Sequence, residues 1–155
     1  MPKVKEQKKQ KRLSKKLGKK VKSTKAIKKE AWSWFSKYIR LRDCLITMGS
    51  KKQGKCFTCN KVFDFNKLQA GHFIDGRGNA VLFEEDLVHS QCIQCNYFKH
   101  GNKEAYEPRM LELYGKAKVD EFRQLRFTTK EYSREDYERI RDYYKEEYQD
   151  TYKGN

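Results

Sequence analysis

The stretch CFTCN at residues 56–60, LQAGHF at 68–73, LVHSQCIQCN at 87–96 and HGN at 100–102 decides how this chain is read. Two Cys-x-x-Cys pairs, Cys56/Cys59 and Cys92/Cys95, stand 32 residues apart and bracket His72. His89 and Asn96 sit beside the second pair. Structural zinc takes four ligands in a tetrahedron, and each pair can deliver two thiolates from one tight turn. The spacing therefore predicts a four-thiolate zinc clamp. Such a site has no open position, so its ion holds the fold and does no chemistry. The gap is longer than in a simple zinc ribbon, so the insert carries structure of its own. Cys44 is the odd cysteine, expected as a buried thiol on a helix.

Working outward, the chain has 155 residues, enough for one domain and an appendage. Its formal net charge is +15, a balance that favours a polyanionic partner. That charge is uneven: residues 1–30 hold fourteen Lys/Arg and two Glu, a balance of +12, which leaves +3 (15 − 12) for the rest. Residues 1–28 have too few apolar side chains to bury a face and read as a disordered basic arm that binds phosphate. Residues 29–155 read as the domain. No apolar run is long enough for a membrane span, and the basic N-terminus lacks the apolar core of a signal peptide. The expected location is thus the cytoplasm, where cysteines stay reduced and bind metal rather than pair.

Trp34, Tyr38, Leu41, Leu45 and Met48 recur at helical spacing, predicting a helix over 29–48 stopped by Gly49. Short strands are expected at 62–65, 69–74 and 81–88, with the glycine-containing DGRGNA at 75–80 as a loop. A helix is expected to start at Cys92 and stop at Gly101. Asn102 is expected to cap a helix ending at Gly115, with Pro108 inside it. Residues 116–127 continue at helical spacing. Ser133 and Asp136 form a capping box for a last helix with Tyr137, Ile140, Tyr144 and Tyr148 on one face.

Strand, loop, strand and helix, with a histidine late in the first strand, resemble the ββα-metal (HNH) nuclease motif over Cys56–Gly101. The words AGHF, H-x-QC-x-x-CN and GN, with WSWFSKYIRLRDC at 32–44 and YEPRMLELYG at 106–115, are similar to the NinG recombination proteins of lambdoid phages over Ala31–Gly115. The CN ending also resembles phage endonuclease VII, in which an asparagine after the last zinc cysteine is a metal ligand. The fold implied is small α+β: a zinc-bound ββα-metal core flanked by N- and C-terminal helices.

The resemblance implies one-metal phosphodiester hydrolysis on branched or single-strand-containing DNA, such as Holliday junctions or D-loops. His72 would be the general base and Asn96 a ligand of catalytic Mg²⁺ or Mn²⁺. Gly71 stands where the motif usually has a metal-binding aspartate, and Leu87 falls near its central asparagine. His89 is the first candidate to complete the metal shell, ahead of Asp86 and Asp75. Arg40, Arg42 and Lys99, with Lys15, Lys16, Lys19 and Lys20 of the arm, are the candidate phosphate contacts. A homodimer and other phage or host recombination proteins are the implied protein partners. Two rival readings are a zinc-stabilised DNA-binding module without activity, and a recombination-complex partner docking through the tyrosine face at 137–152.

Overall fold

The computed structural model describes residues 22–76 and 78–154. Helix α1 runs Thr24–Met48, five residues earlier than the apolar spacing suggests. Ser23 explains the difference, because its side chain accepts from Ala26 N and caps the first turn. Gly49, at φ 60°, ends α1 by donating to Leu45 O. The stripe that α1 buries is Ile27, Ala31, Phe35 and Ile39, one residue per turn, while Met48 and Ile46 face solvent. Trp34 and Tyr38 pack at its margin.

Two small antiparallel ribbons follow. Strands β1 (Gln53–Lys55) and β2 (Val62–Asp64) pair Gly54 with Phe63 and carry the Cys56–Cys59 knuckle between them. Strands β3 (Leu68–His72) and β4 (Val88–Cys92) pair from Leu68↔Cys92 to His72↔Val88. The strand expected at 81–88 is therefore misplaced. Residues Asn79–Leu82 form a helical turn, α2, burying Ala80, Val81 and Leu82, and pairing starts only at Val88. A short apolar run has no periodicity that separates a buried strand from a buried turn.

After β4, a π-turn spans Gln94–Phe98, followed by His100, Gly101 and Asn102, all with positive φ. Helix α3 (Lys103–Leu125) breaks at Gly115, whose φ of 74° and ψ of 163° are non-helical, as its expected stop signal requires. Helix α4 (Arg134–Lys153) opens on the expected Ser133/Asp136 capping box.

The main core lies where α1 meets α4. Phe35 meets Tyr144 edge-on at 4.8 Å, and Trp34 tilts against Tyr148 at 5.9 Å. Burial of each such ring contributes roughly 1.5–3 kcal/mol. The tyrosine face of α4 is thus occupied within the domain, and Tyr137 and Tyr144 are buried. Among the described residues, no helix is long and apolar enough to cross a membrane.

Polar residues of α1 attach the β3–β4 ribbon to this core. Asp43 Oδ2 accepts from Ser90 N at 2.6 Å. Arg42 donates to Glu85 O (3.0 Å) and Val88 O (2.9 Å), and Arg40 to Leu68 O (3.3 Å). These bonds give Arg40 and Arg42, expected as phosphate contacts, a structural role within the fold. Both guanidinium groups are half-buried and committed to backbone carbonyls, which otherwise would lose water without a replacement.

Candidate metal centre and the histidine pocket

The two knuckles bring Cys56, Cys59, Cys92 and Cys95 together. One sulfur from each lies within 4.8 Å of all the others, and Cys59 and Cys92 are 3.9 Å apart. A zinc tetrahedron with 2.3 Å bonds has sulfur edges of roughly 3.8 Å, so the cluster needs only a slight contraction to close on an ion. All four are free thiols. The chemistry of the donor set fits a metal such as zinc. Burial resists ionisation of Cys56, but the N–H groups of Cys59, Cys92 and Thr58 and the Thr58 hydroxyl outweigh it and draw the thiol down to about 7. Burial and the neighbouring sulfurs push Cys92 up to about 12, and a cation among the sulfurs would reverse that by favouring its thiolate.

Asn102 has an unexpected position in this cluster. It makes no side-chain cap to α3, and its Nδ2 donates to Cys95 Sγ at 3.5 Å. Cys44 lies outside the cluster, its buried thiol against Gly54 and raised to about 11 by burial.

His72 ends β3, with 8% of its surface exposed. Its ring stacks on Trp32 at 5.0 Å between centroids and 19° between planes, and Nε2 is 3.3 Å from Leu82 O. A carbonyl only accepts, so in this contact a protonated Nε2 donates. The backbone beneath the ring is held by α3. Lys103 Nζ donates to His72 O (2.7 Å) and Phe73 O (2.6 Å), and the Tyr106 hydroxyl donates to Gly71 O (2.9 Å).

Asn96, directly after Cys95, is placed by the clamp. It lines one pocket of about 260 Å³ with His72, Asp75, His100 and Lys103. Its Nδ2 donates to Gln69 Oε1 at 2.8 Å, which leaves Oδ1 as a carbonyl-type donor suited to a hard cation. Asp75 reaches the same pocket but is ion-paired to Lys103 at 3.0 Å.

His89 is brought elsewhere. It pairs with Gly71 across the ribbon, so alternation puts its side chain on the face opposite to that of His72. The ring stacks on Phe57 at 4.1 Å, and Nδ1 lies 3.3 Å from Arg42 Nη2 and 3.7 Å from Asp43 Oδ2. It lines a separate pocket of about 410 Å³ with Arg42, Asp43, Asp86, Arg109 and Tyr114. Neither His89 nor Asp86 therefore joins Asn96.

Residues 2–154 match a family model described as Bacteriophage Lambda NinG protein. The chain belongs to the NinG family. The protein ninG of Salmonella phage P22 is 30% identical to it over 108 residues, 66% of this chain and 49% of that protein. The chain thus spans about half the length of that relative. No solved structure matches.

In this NinG-family chain, the site residues that sequence reasoning did not single out are Trp32, Gln91, Lys103 and Tyr106. Trp32, Gln91 and Tyr106 lie within the words that carry the family resemblance, but nothing in their spacing assigns them to the surroundings of His72 and Asn96. Lys99 is exposed just after the π-turn, open to a phosphate. Lys15, Lys16, Lys19 and Lys20 lie outside the described residues.

Proposed function

We propose that this NinG-family chain is a metal-dependent endonuclease of phage recombination, acting on branched DNA. The observation that carries this reading is the shared pocket of His72 and Asn96, a base and a hard-cation donor set side by side by a closed thiol cluster. Family membership supports the setting in phage recombination, and the +15 charge supports a nucleic-acid partner.

In the proposed reaction, the His72 imidazole takes a proton from water, and the resulting hydroxide attacks the scissile phosphorus. Trp32 and Leu82 O hold the ring in its orientation. Asn96 Oδ1 would hold Mg²⁺ or Mn²⁺, which when bound stabilises charge on the phosphate and on the departing 3′ oxygen. The bracing done by a central asparagine in the HNH motif is supplied here by the main chain, Phe73 N donating to Leu87 O at 2.8 Å. Leu87 itself is fully buried in the core.

The test is cleavage of labelled four-way junctions by zinc-loaded protein with Mg²⁺ or Mn²⁺, beside a His72→Ala variant. Loss of the base is expected to slow cleavage by about 10²–10⁴-fold while junction affinity is kept. Junction binding without cleavage under every metal tried would sink the reading and leave a zinc-stabilised DNA-binding module.

A further inference from the structure

Gly71 lies beneath two side-chain carbonyl oxygens. A Cβ at this position would be 2.0 Å from Gln91 Oε1 and 2.9 Å from Asn96 Oδ1, so the two oxygens are no further apart than the sum of those distances. Gln91 has no exposed surface, and its Oε1 has no hydrogen-bond partner among the described residues. The orientation of its amide is fixed by chemistry. Gln91 Nε2 donates to Thr58 Oγ1 at 3.1 Å and to Gly101 O at 2.9 Å. A flipped amide would set oxygen against the Gly101 carbonyl, acceptor against acceptor. Asn96 Nδ2 donates to Gln69 Oε1, and its Oδ1 is the atom turned toward Gly71.

A buried carbonyl oxygen without a donor is destabilising, and a second oxygen close to it adds repulsion. A cation between the two removes both penalties. Building on the nuclease reading above, we infer that Gln91 Oε1 and Asn96 Oδ1 together hold its divalent cation, with Gln91 filling the place of the side chain that Gly71 lacks. Glycine at 71 is then a requirement of the site, since any Cβ there would displace the Gln91 oxygen. Both donors are neutral, so the protein alone holds the ion weakly and a DNA phosphate completes its charge and shell. The geometry ties this ion to the clamp, because Gln91 precedes Cys92 and Asn96 follows Cys95.

The experiment measures Mn²⁺ binding to zinc-loaded protein by electron paramagnetic resonance, alone and with an uncleavable phosphorothioate junction. Wild type is expected to bind one Mn²⁺, at least tenfold more tightly with DNA than without. Gln91→Leu and Asn96→Ala are each expected to weaken binding at least tenfold, with zinc content and circular dichroism checked in parallel. A Gly71→Asp/Gln91→Ala pair moves an oxygen ligand back to position 71 and is expected to bind more tightly than Gln91→Ala alone. A measurement free of variants is the side-chain carbonyl ¹³C resonance of Gln91, which is expected to shift on Mg²⁺ addition in DNA-bound wild type. Loss of Mn²⁺ in Asn96→Ala with full binding in Gln91→Leu, or an unmoved Gln91 carbonyl, overturns this inference and spares the nuclease reading. Absence of any Mn²⁺ site in wild type overturns both.

Discussion

Asp43 is the residue whose loss should loosen the ribbon from its supporting helix, and the cost can be worked from its partners. It is 7% exposed and its carboxylate serves two donors, Ser90 N at 2.6 Å and Arg42 Nε at 2.8 Å. In Asp43→Ala, the buried Ser90 N–H is left without an acceptor, at about 1–3 kcal/mol. The half-buried Arg42 guanidinium also loses its carboxylate, which brings the total to about 3–5 kcal/mol, as for one partner removed from a buried pair. Asp43→Asn keeps an acceptor for Ser90 and should cost roughly 2 kcal/mol. Urea unfolding of zinc-saturated protein measures these differences, and the alanine variant should melt about 10 °C lower. Burial works against ionisation of Asp43, but His89, Arg42 and the Ser90 N–H outweigh it and hold its pKa below the ordinary carboxylate value. A depressed folded pKa contributes stability that is complete above an unfolded pKa of about 3.9 and is lost as pH falls through the folded one. The gap between wild type and Asp43→Ala should therefore narrow in acid below about pH 4. A loss under about 1 kcal/mol at neutral pH would refute the reasoning, since relaxation could not then leave both donors unmet.

Three other outcomes follow from the same contacts. Zinc-loaded protein should carry one equivalent of zinc, and Cys95→Ser should lose it along with Mn²⁺ binding at Asn96; elemental analysis showing zinc retained at wild-type affinity would contradict the four-thiolate site. Gly54→Ala should destabilise by about 1–3 kcal/mol in thermal or urea unfolding, because its Cβ would sit 2.6 Å from Cys44 Sγ and 2.9 Å from Cys44 Cα; a neutral result would mean that the α1–β1 contact yields easily. Deleting residues 1–21 removes ten Lys/Arg yet keeps the Ser23 cap, so melting should be unchanged while junction affinity, read by fluorescence anisotropy, falls and loses salt dependence; unaltered affinity at moderate salt would exclude the arm from DNA binding.

Much of the fold is local and was legible. Ser133 with Asp136, Gly49 and Gly115 mark helix limits because capping and left-handed φ are properties of single residues and their neighbours. The α1 stripe was legible only in part: Leu41 and the flanking Phe35 and Ile39 are buried as expected, whereas Trp34 and Tyr38 sit at the margin because the position of α4 decides which ring goes deepest. Arg40 and Arg42 illustrate the same limit in polar form. A charged pair on a helix looks solvated until the tertiary structure sets backbone carbonyls against it.

The sequence by itself determined the thiol clamp, because two Cys-x-x-Cys turns each fix two ligands within four residues and the metal needs no more than their meeting. It also placed His72 and Asn96 as candidates beside that clamp. Only the tertiary structure decided which histidine accompanies Asn96. Register puts His72 and His89 on opposite faces, and packing sends the His89 ring onto Phe57 in one pocket while the turn after Cys92 carries Asn96 to the pocket that His72 lines. The same packing brings the Gln91 side chain, from β4, into the space that a side chain at position 71 would fill. A missing side chain is visible in a sequence, whereas the group that fills its space is visible only when the strands are paired.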